Sequence, residues 1–357
     1  MCSTDAVRWD NLRLDADEEG AGLADGALPL LPRGAVTRTF DTPAFRGMTF
    51  FEVQARSALN RVPAASQVPF SWTVNPYRGC SHACRYCFAR KTHEYLDLDS
   101  GADFDAKVLV KVNVAQVLRR ELAGRRWKGE HVALGTNTDP YQRVEGRYRL
   151  MRGVISALRD ANNPFSILTK GVLIARDLDL LTDAADRTDV STALSVGFVD
   201  ETVWRGVEPG TPAPMRRLET VAALNEAGIR CGVLMAPILP GLTDSPAQLE
   251  ETVAAAAAAG AAYLTPIVLH LRPGAREWWM AWLEREHPEL VARYQALYAA
   301  GSYAPKGYQE LIARQVRELA DKHGIGRRAT TRWRTGHERA RLSRPQPAVE
   351  PAQLTLL

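Results

Sequence analysis

From residue 70 onward the chain alternates between short apolar runs and longer helical stretches, and this alternation restricts the fold more than any other feature. Strand candidates fall at 70–74, 131–135, 165–169, 190–196, 231–236 and 262–269. Helical stretches fall between them at 106–122, 152–160, 175–184, 214–227 and 247–259. Gly228 and Gly260 follow the last two, where a helix end commonly takes a left-handed residue. Strand–helix repetition of this kind argues for an α/β fold with a parallel sheet and crossover helices. Six such units fit a partial (β/α)6 TIM-like barrel. In barrels of this type the active site gathers at the C-terminal ends of the strands. The unusual sequence of this chain collects at that end: a cysteine run after strand one, Thr136-Asn-Thr-Asp139 after strand two, Lys170-Gly171 after strand three, Pro237-Ile-Leu-Pro240-Gly241 after strand five and His270-Leu-Arg272 after strand six.

The cysteine run is Cys80-Ser-His-Ala-Cys84-Arg-Tyr-Cys87, a C-x3-C-x2-C spacing with an aromatic residue before the last cysteine. Three thiolates on one short loop suit three irons of a cubic [4Fe–4S] cluster and leave the fourth iron open to a small molecule. Soft thiolates favour zinc or iron–sulfur over hard cations. Structural zinc asks for four ligands, usually in separated pairs. The run contains one histidine, His82, and the chain has no second C-x2-C pair. Two-cluster ferredoxins use C-x2-C-x2-C, a different spacing.

Cys80, Cys84, Cys87 and Tyr86 resemble the cluster motif of radical S-adenosylmethionine (radical SAM) enzymes. The preceding Asn75-Pro76-Tyr77-Arg78-Gly79 narrows the resemblance to the branch containing spore photoproduct lyase and its "DNA repair photolyase-like" relatives, and within it to an actinobacterial group. The resemblance covers roughly residues 35–325. It implies the partial barrel, a [4Fe–4S] cluster on the three cysteines, and S-adenosylmethionine chelated at the open iron. It further implies one-electron cleavage of that cofactor to a 5′-deoxyadenosyl radical, which takes a hydrogen atom from substrate. A reductant such as flavodoxin or ferredoxin would deliver the electron.

Roles for other residues follow from their type and from the resemblance. Tyr86 is placed to meet the adenine, or else to pack the cysteine loop. Lys170, in Leu168-Thr-Lys-Gly, offers a cation to the carboxylate of the cofactor's methionyl end, as the matching Thr-Lys element of spore photoproduct lyase does. Ser195 resembles the strand-four serine that binds the same end, with Ser191 as the fallback if the strand is offset. In Thr136-Asn137-Thr138-Asp139-Pro140-Tyr141-Gln142, either Asp139 or Thr136 would accept the cofactor's ammonium group; the structural alternative is a turn built by Asn, Asp and Pro. Met235-Ala-Pro237-Ile238-Leu239-Pro240 is expected to wall the adenine. Glu208-Pro209-Gly210 resembles a family element whose role the sequence does not disclose. His270 and Arg272 are candidates for substrate contact.

One departure from spore photoproduct lyase bears on the outcome. That enzyme carries a cysteine just after strand two that returns a hydrogen atom to product. Here the stretch reads Leu134-Gly135-Thr136-Asn137. Cys231 begins strand five, at the far end of the barrel, and Cys2 lies in the N-terminal arm. A tyrosine, Tyr141, is the remaining donor candidate.

Composition bounds the rest. With 357 residues and 46% hydrophobic content the chain suits one large domain with additions, or two domains. The expected organisation is an N-terminal extension at 1–65, the barrel at 66–275, an aromatic helical cap at 276–325 and a basic, disordered tail at 326–357. No apolar run is long enough to cross a membrane, residues 1–20 lack the apolar core of a signal peptide, and clustered thiols call for a reducing compartment. The expected location is the cytoplasm. The net charge of +4 is uneven: Arg327, Arg328, Arg332, Arg334, Arg339, Arg341 and Arg344 face the single acid Glu338. That stretch either contacts nucleic-acid phosphates or is a solvated tail. The final Gln353-Leu-Thr-Leu-Leu357 resembles the peptide by which bacterial repair proteins dock on the sliding clamp.

The overall expectation is a lyase-like radical SAM enzyme that abstracts hydrogen from a substrate the sequence does not name, with nucleic acid as the candidate. The alternatives are the same chemistry on a peptide or small metabolite, a non-catalytic iron–sulfur redox sensor that binds nucleic acid, and a zinc module.

Overall fold

The computed structural model describes residues 34–63, 66 and 68–325. The N-terminal arm with Cys2, the arginine run from Arg327 to Arg344 and the terminal peptide from Gln353 to Leu357 lie outside the described residues. Eleven strands form two sheets: β1 (Val36–Arg38), β2 (Thr49–Val53), β3 (Leu59–Arg61), β4 (Trp72–Val74), β5 (Tyr77–Arg78), β6 (Lys107–Lys111), β7 (Val132–Leu134), β8 (Phe165–Thr169), β9 (Val190–Ser195), β10 (Arg230–Ile238) and β11 (Leu264–Val268). The larger sheet runs β3-β4-β7-β8-β9-β10-β11. From β4 to β11 every pairing is parallel, and the order in space is the order in the chain. These six strands are the six expected from the alternation, each shifted by at most a few residues. The fold is α/β, an open parallel sheet with crossover helices of the partial (β/α)6 type, and β3 adds one antiparallel strand beside β4.

Helices cover the sheet because their apolar residues recur with helical period. In Leu150–Asp160 the residues Met151, Val154, Ile155 and Leu158 form one stripe and are fully buried. They join Leu134, Ile167, Leu194 and Val233 of the strands in one continuous core. Burying each such side chain stabilises the fold by roughly 1.5–3 kcal/mol. Cys231 is the second residue of β10 and fully buried in this core, at the end away from the cysteine loop, as expected.

One expected element is wrong. The stretch 106–122, read as a single helix, begins at the last residue of a short helix, Ala102–Ala106, and then contains the strand β6 and the helix Val114–Leu122. The reason is the period-two pattern of Lys107-Val-Leu-Val-Lys111. Val108 and Val110 face Phe50 and Tyr77 on one side, and Leu109 packs with Phe51, Leu96 and Leu98 on the other. Alternation across two buried faces is strand chemistry. β6 pairs in parallel with β2 and antiparallel with β5, giving the second sheet, β1-β2-β6-β5. Residues 49–61 are thereby tied to the barrel through β2–β6 and β3–β4.

After β11, the helices Ala275–Glu286, Val291–Leu297 and Lys306–Lys322 occupy the stretch expected to form the cap. Trp279, Trp282, Tyr294 and Tyr298 are buried, at most 5% exposed, and pack with Met235, Ile238 and Leu239 of the β10 end. Cys84 and Tyr86 belong to the same cluster, so the cap closes over the cysteine loop. Among the described residues no helix is long and apolar enough to cross a membrane.

Candidate active site

The cysteine loop leaves β5 through Gly79, whose φ of +83° suits only glycine and whose hydrogen side faces the Lys107 carbonyl too closely for a Cβ. Contacts from three directions then fix the loop. From the segment after β7, Thr138 Oγ1 and Gln142 Nε2 donate to the Gly79 carbonyl at 2.8 and 3.0 Å. Gln142 Oε1 accepts from Ser81 N at 2.8 Å, and Arg143 Nη2 donates to Ser81 O at 3.0 Å. From the loop's own downstream turn, the buried Arg90 guanidinium donates to Cys84 O at 2.9 Å and to Asp105 at 2.9 Å. From beyond β9, Gly210 N donates to His82 O at 3.0 Å, and Arg85 N to Val207 O at 2.9 Å. A Cβ at Gly210 would stand 2.2 Å from Ser81 O, so this approach requires glycine.

Held this way, Cys80 and Cys84 are buried, and Cys87 is partly buried. Burial pushes all three thiols up. For Cys80 the Asp139 carboxylate adds to the effect, and for Cys84 Glu208 adds while Lys170 opposes. Such sulfurs become thiolates where metal charge offsets the burial. Three soft, buried sulfur donors on one loop are a donor set that fits iron–sulfur ligation. Among the described residues no group of three Cys, His, Asp or Glu side chains is placed to hold a single metal ion.

Beside the cysteines lies a buried polar hub. Glu208 is fully buried and accepts from Tyr86 Oη and Arg217 Nη2. Burial alone would raise its carboxyl, but Arg217 and Lys170 outweigh burial and hold it below the usual range. The Tyr86 hydroxyl is pushed well up, by burial first and then by Glu208. Lys170 Nζ lies 3.8 Å from Glu208 and donates to Ser195 Oγ at 2.6 Å. Ser195 Oγ in turn donates to the Ala236 carbonyl at 2.7 Å, and Arg217 Nη1 donates to the Ser195 carbonyl at 3.0 Å. The ends of β8, β9 and β10 and the cysteine loop thus meet at one network. The Lys170 side chain is 14% exposed, the part of the hub that retains access to ligand.

The structure therefore brings Cys80, Cys84, Cys87, Tyr86, Lys170 and Ser195 together. Ser191, near the start of β9, sits about four residues down the strand, roughly 13 Å from Ser195. Asp139 joins the group by a different route from the one expected. Its Oδ1 accepts from Thr169 Oγ1 at 2.5 Å and Tyr141 N at 2.9 Å. Its Oδ2 accepts from Lys170 N at 2.6 Å and lies 3.3 Å from His82 Nδ1. A carboxylate has about four acceptor positions, and these partners use them. Asp139 fastens the β8 end to the cysteine loop. Thr136, the other candidate for an ammonium ligand, lies 3.4 Å from Asn75 Oδ1, which also receives Asn137 N. Tyr141 is 1% exposed and donates to the buried Asp177 at 3.0 Å, so the donor candidate has no open face. His270 and Arg272 lie at the mouth, each against Tyr303.

Sequence reasoning missed Arg217, Gln142 and His82 as site builders and left Glu208 without a role. Arg217 carried a readable signal. With Val221 and Leu224 it lies on the apolar stripe of the helix Pro214–Glu226, where a charge needs a buried partner.

This fold and this cysteine site are those of one protein family. The chain matches the Radical SAM superfamily over residues 74–254, about half its length, and belongs to that family. It is 50% identical over 350 residues to an uncharacterized protein of Mycobacterium tuberculosis, covering 98% of this chain and all of that one. An uncharacterized protein of Methanocaldococcus jannaschii is 26% identical over 203 residues, covering 56% of this chain and 72% of that one. Among solved structures, a mutant of spore photoproduct lyase superposes with a TM-score of 0.59 at 16% identity, covering 80% of this chain and 84% of that one. Another mutant of the same lyase, solved with bound AdoMet and dinucleoside spore photoproduct, gives 0.58 at 15%, covering 78% and 80%. At such identities the likeness is one of fold. Family membership implies a [4Fe–4S] cluster and S-adenosylmethionine.

The environment of Asp139 has a measurable consequence. Burial would raise its carboxyl, but His82, Lys170 N and Thr169 outweigh burial and set it at about 2, against 3.8 for the ordinary group. A depressed folded-state value stabilises the protein above about pH 4, and the contribution disappears as pH falls toward 2. Asp139→Asn is expected to cost about 2 kcal/mol at pH 7, with the difference from wild type shrinking through that window. Urea unfolding of both proteins across pH checks it, and a difference that stays constant down to pH 2 would contradict it.

Proposed function

We propose that this chain is a radical SAM enzyme that abstracts a hydrogen atom from a nucleic-acid substrate. The observation that carries the reading is the Lys170–Ser195–Glu208–Tyr86 hub set directly beside two buried cysteines and a partly buried third. When bound, the cluster and S-adenosylmethionine supply one-electron reductive cleavage and a 5′-deoxyadenosyl radical. Everything else is the work of this chain's own residues. Cys80, Cys84 and Cys87 would hold three irons. The Lys170 ammonium, steadied by Ser195 and Glu208, would receive the cofactor's carboxylate. Met235, Ile238 and Leu239 give the apolar wall against the adenine, and the Tyr86 ring is held in place there by its hydroxyl on Glu208. Asp139 is a positioning residue, because its acceptor positions are used within the protein. A flavodoxin- or ferredoxin-type reductant supplies the electron, in a reducing cytoplasmic setting.

Nucleic acid as substrate rests on the fold shared with spore photoproduct lyase, one of whose structures holds a dinucleoside photoproduct. The hydrogen-return step differs from a cysteine-dependent one. β7 is followed by Gly135 and Thr136, Cys231 is buried at the opposite end of β10, and Tyr141 is sealed on Asp177. The reading is tested by supplying reconstituted protein, dithionite and S-adenosylmethionine with oligodeoxynucleotides deuterated in sugar and base. Deuterium is expected in the 5′-deoxyadenosine. Transfer from peptides or small metabolites only would replace nucleic acid with that substrate class.

The role of Lys170 gives a separate expectation. A charge-assisted contact contributes roughly 1.5–3 kcal/mol, so Lys170→Ala is expected to weaken S-adenosylmethionine binding about tenfold to a hundredfold while iron and sulfide content stay at wild-type levels. Equilibrium binding to the reconstituted protein reads this, and unaltered affinity would remove Lys170 from the cofactor site.

A further inference from the structure

Three aromatic side chains stand out of the surface among the described residues: Phe88 at 46%, Tyr95 at 50% and Tyr303 at 48% exposure. All three lie around one mouth. Phe88 follows Cys87 directly, and Tyr95 lies on the turn Arg90–Leu96 that continues the cysteine loop. Tyr303 comes from the cap and bridges to His270, their rings 4.4 Å apart. Arg272 links the two sides, its guanidinium 5.5 Å from the Phe88 ring centre and 3.5 Å from the Tyr303 hydroxyl. An open cleft runs between Phe88, Lys91, Tyr95, Asn137 and Arg272. The aromatics of the cap core a short way off are buried, so the exposure belongs to this rim and is not a general surplus of aromatic residues. Holding three large rings in water forgoes the burial that would otherwise stabilise them.

The rim's position is equally specific. The cysteine loop comes after β4 by way of β5, and Arg272 follows β11. β4 and β11 are the first and last strands of the parallel run, and they do not pair with each other. The Phe88–Arg272–Tyr303 row therefore joins the segment that follows the first parallel strand to the segment that follows the last, next to Cys87. Its charge is positive. Lys91 and Arg272 are exposed, and among the described residues neither has a carboxylate within ion-pair distance. Glu94 is the acid of the rim, with Oε1 against Gly274.

Flat exposed rings ask for a flat ligand, and exposed cations ask for an anionic one. A nucleic-acid strand meets both demands, with bases on the rings and phosphates on Lys91 and Arg272. A duplex keeps its base faces stacked on each other and offers them to no one. We propose that Phe88, Tyr95 and Tyr303, with Lys91 and Arg272, form a stacking platform that receives an unpaired nucleic-acid strand and leads it past Cys87 to the site. The inference rests on the nucleic-acid reading above and names the form of that substrate: single-stranded or locally opened.

The test is fluorescence anisotropy with the full-length reconstituted protein and a labelled oligothymidylate, compared with a labelled duplex and an acidic peptide of similar charge. Phe88→Ala and Tyr95→Ala are each expected to weaken single-strand binding about fivefold to a hundredfold, the effect of removing one stacked base contact. Arg272→Gln is expected to weaken it and to flatten its salt dependence. The deficit of the two aromatic variants should persist at high salt, where electrostatic binding by the arginine run from Arg327 to Arg344 fades. Iron content and circular dichroism confirm that each variant is folded, and Tyr95 provides the reading that is independent of the residue next to Cys87. Single-strand affinity unchanged in both aromatic variants, a duplex bound as tightly as the single strand, or equal competition by the peptide would each overturn the proposal. Failure here with deuterium transfer from oligonucleotide intact would discard the platform alone. Platform binding without any such transfer would discard the nucleic-acid substrate.

Discussion

The carboxylate of Glu208 is buried where four parts of the chain meet, and the geometry of the site depends on its being satisfied there. Tyr86 reaches it from the cysteine loop, Lys170 from the end of β8, and Arg217 from the helix Pro214–Glu226. Arg217 also holds the Ser195 carbonyl at the end of β9. A buried ion pair is a weak source of net stability, because desolvation offsets much of the attraction. Losing one partner is a different matter, since it strands a charge out of water at a cost of about 3–5 kcal/mol. The hub therefore acts less as glue than as a constraint on register. The strand ends and the loop must arrive in one arrangement for every charge to be met, and that arrangement sets Lys170 beside the cysteines. The Gly210 turn applies the same constraint from the other side, since its amide and its missing Cβ fix how closely Ser81 and His82 approach.

Much of this was readable in the sequence, and the division has a physical basis. The six parallel strands were legible because a strand buried on both faces is a short apolar run between helical stretches, a local pattern. Lys170 and Ser195 were legible because they stand at strand ends, where the barrel rule assigns function. β6 was misread because Lys107–Lys111 adjoins a helix on each side, and its alternation was overridden by helical neighbours. The hub was hidden for another reason. Tyr86 and Glu208 are 122 residues apart, and nothing local in either segment names the other. The Asp139 contacts illustrate the same limit: its residue type suggested a ligand, and only the fold shows four internal donors around it.

The two ends of the site contrast in a way that suits radical chemistry. In the hub, Glu208, Arg217, Lys170, Ser195 and Tyr86 are buried or nearly so and paired with one another, which fixes the geometry beside the cysteines. At the mouth, Phe88, Tyr95 and Tyr303 are open, and among the described residues Lys91 and Arg272 have no carboxylate within ion-pair distance. In the proposed enzyme, a closed interior with an open aromatic rim would separate substrate binding from protection of a reactive intermediate.

The central claim is that three cysteines held by this hub support S-adenosylmethionine cleavage. It is tested most directly on anaerobically reconstituted protein, by measuring iron and sulfide and then 5′-deoxyadenosine formed with dithionite and S-adenosylmethionine, with Cys84→Ala alongside. The account requires a four-iron, four-sulfide content and 5′-deoxyadenosine production that Cys84→Ala abolishes. Zinc without sulfide, or 5′-deoxyadenosine formed equally by Cys84→Ala, would contradict it.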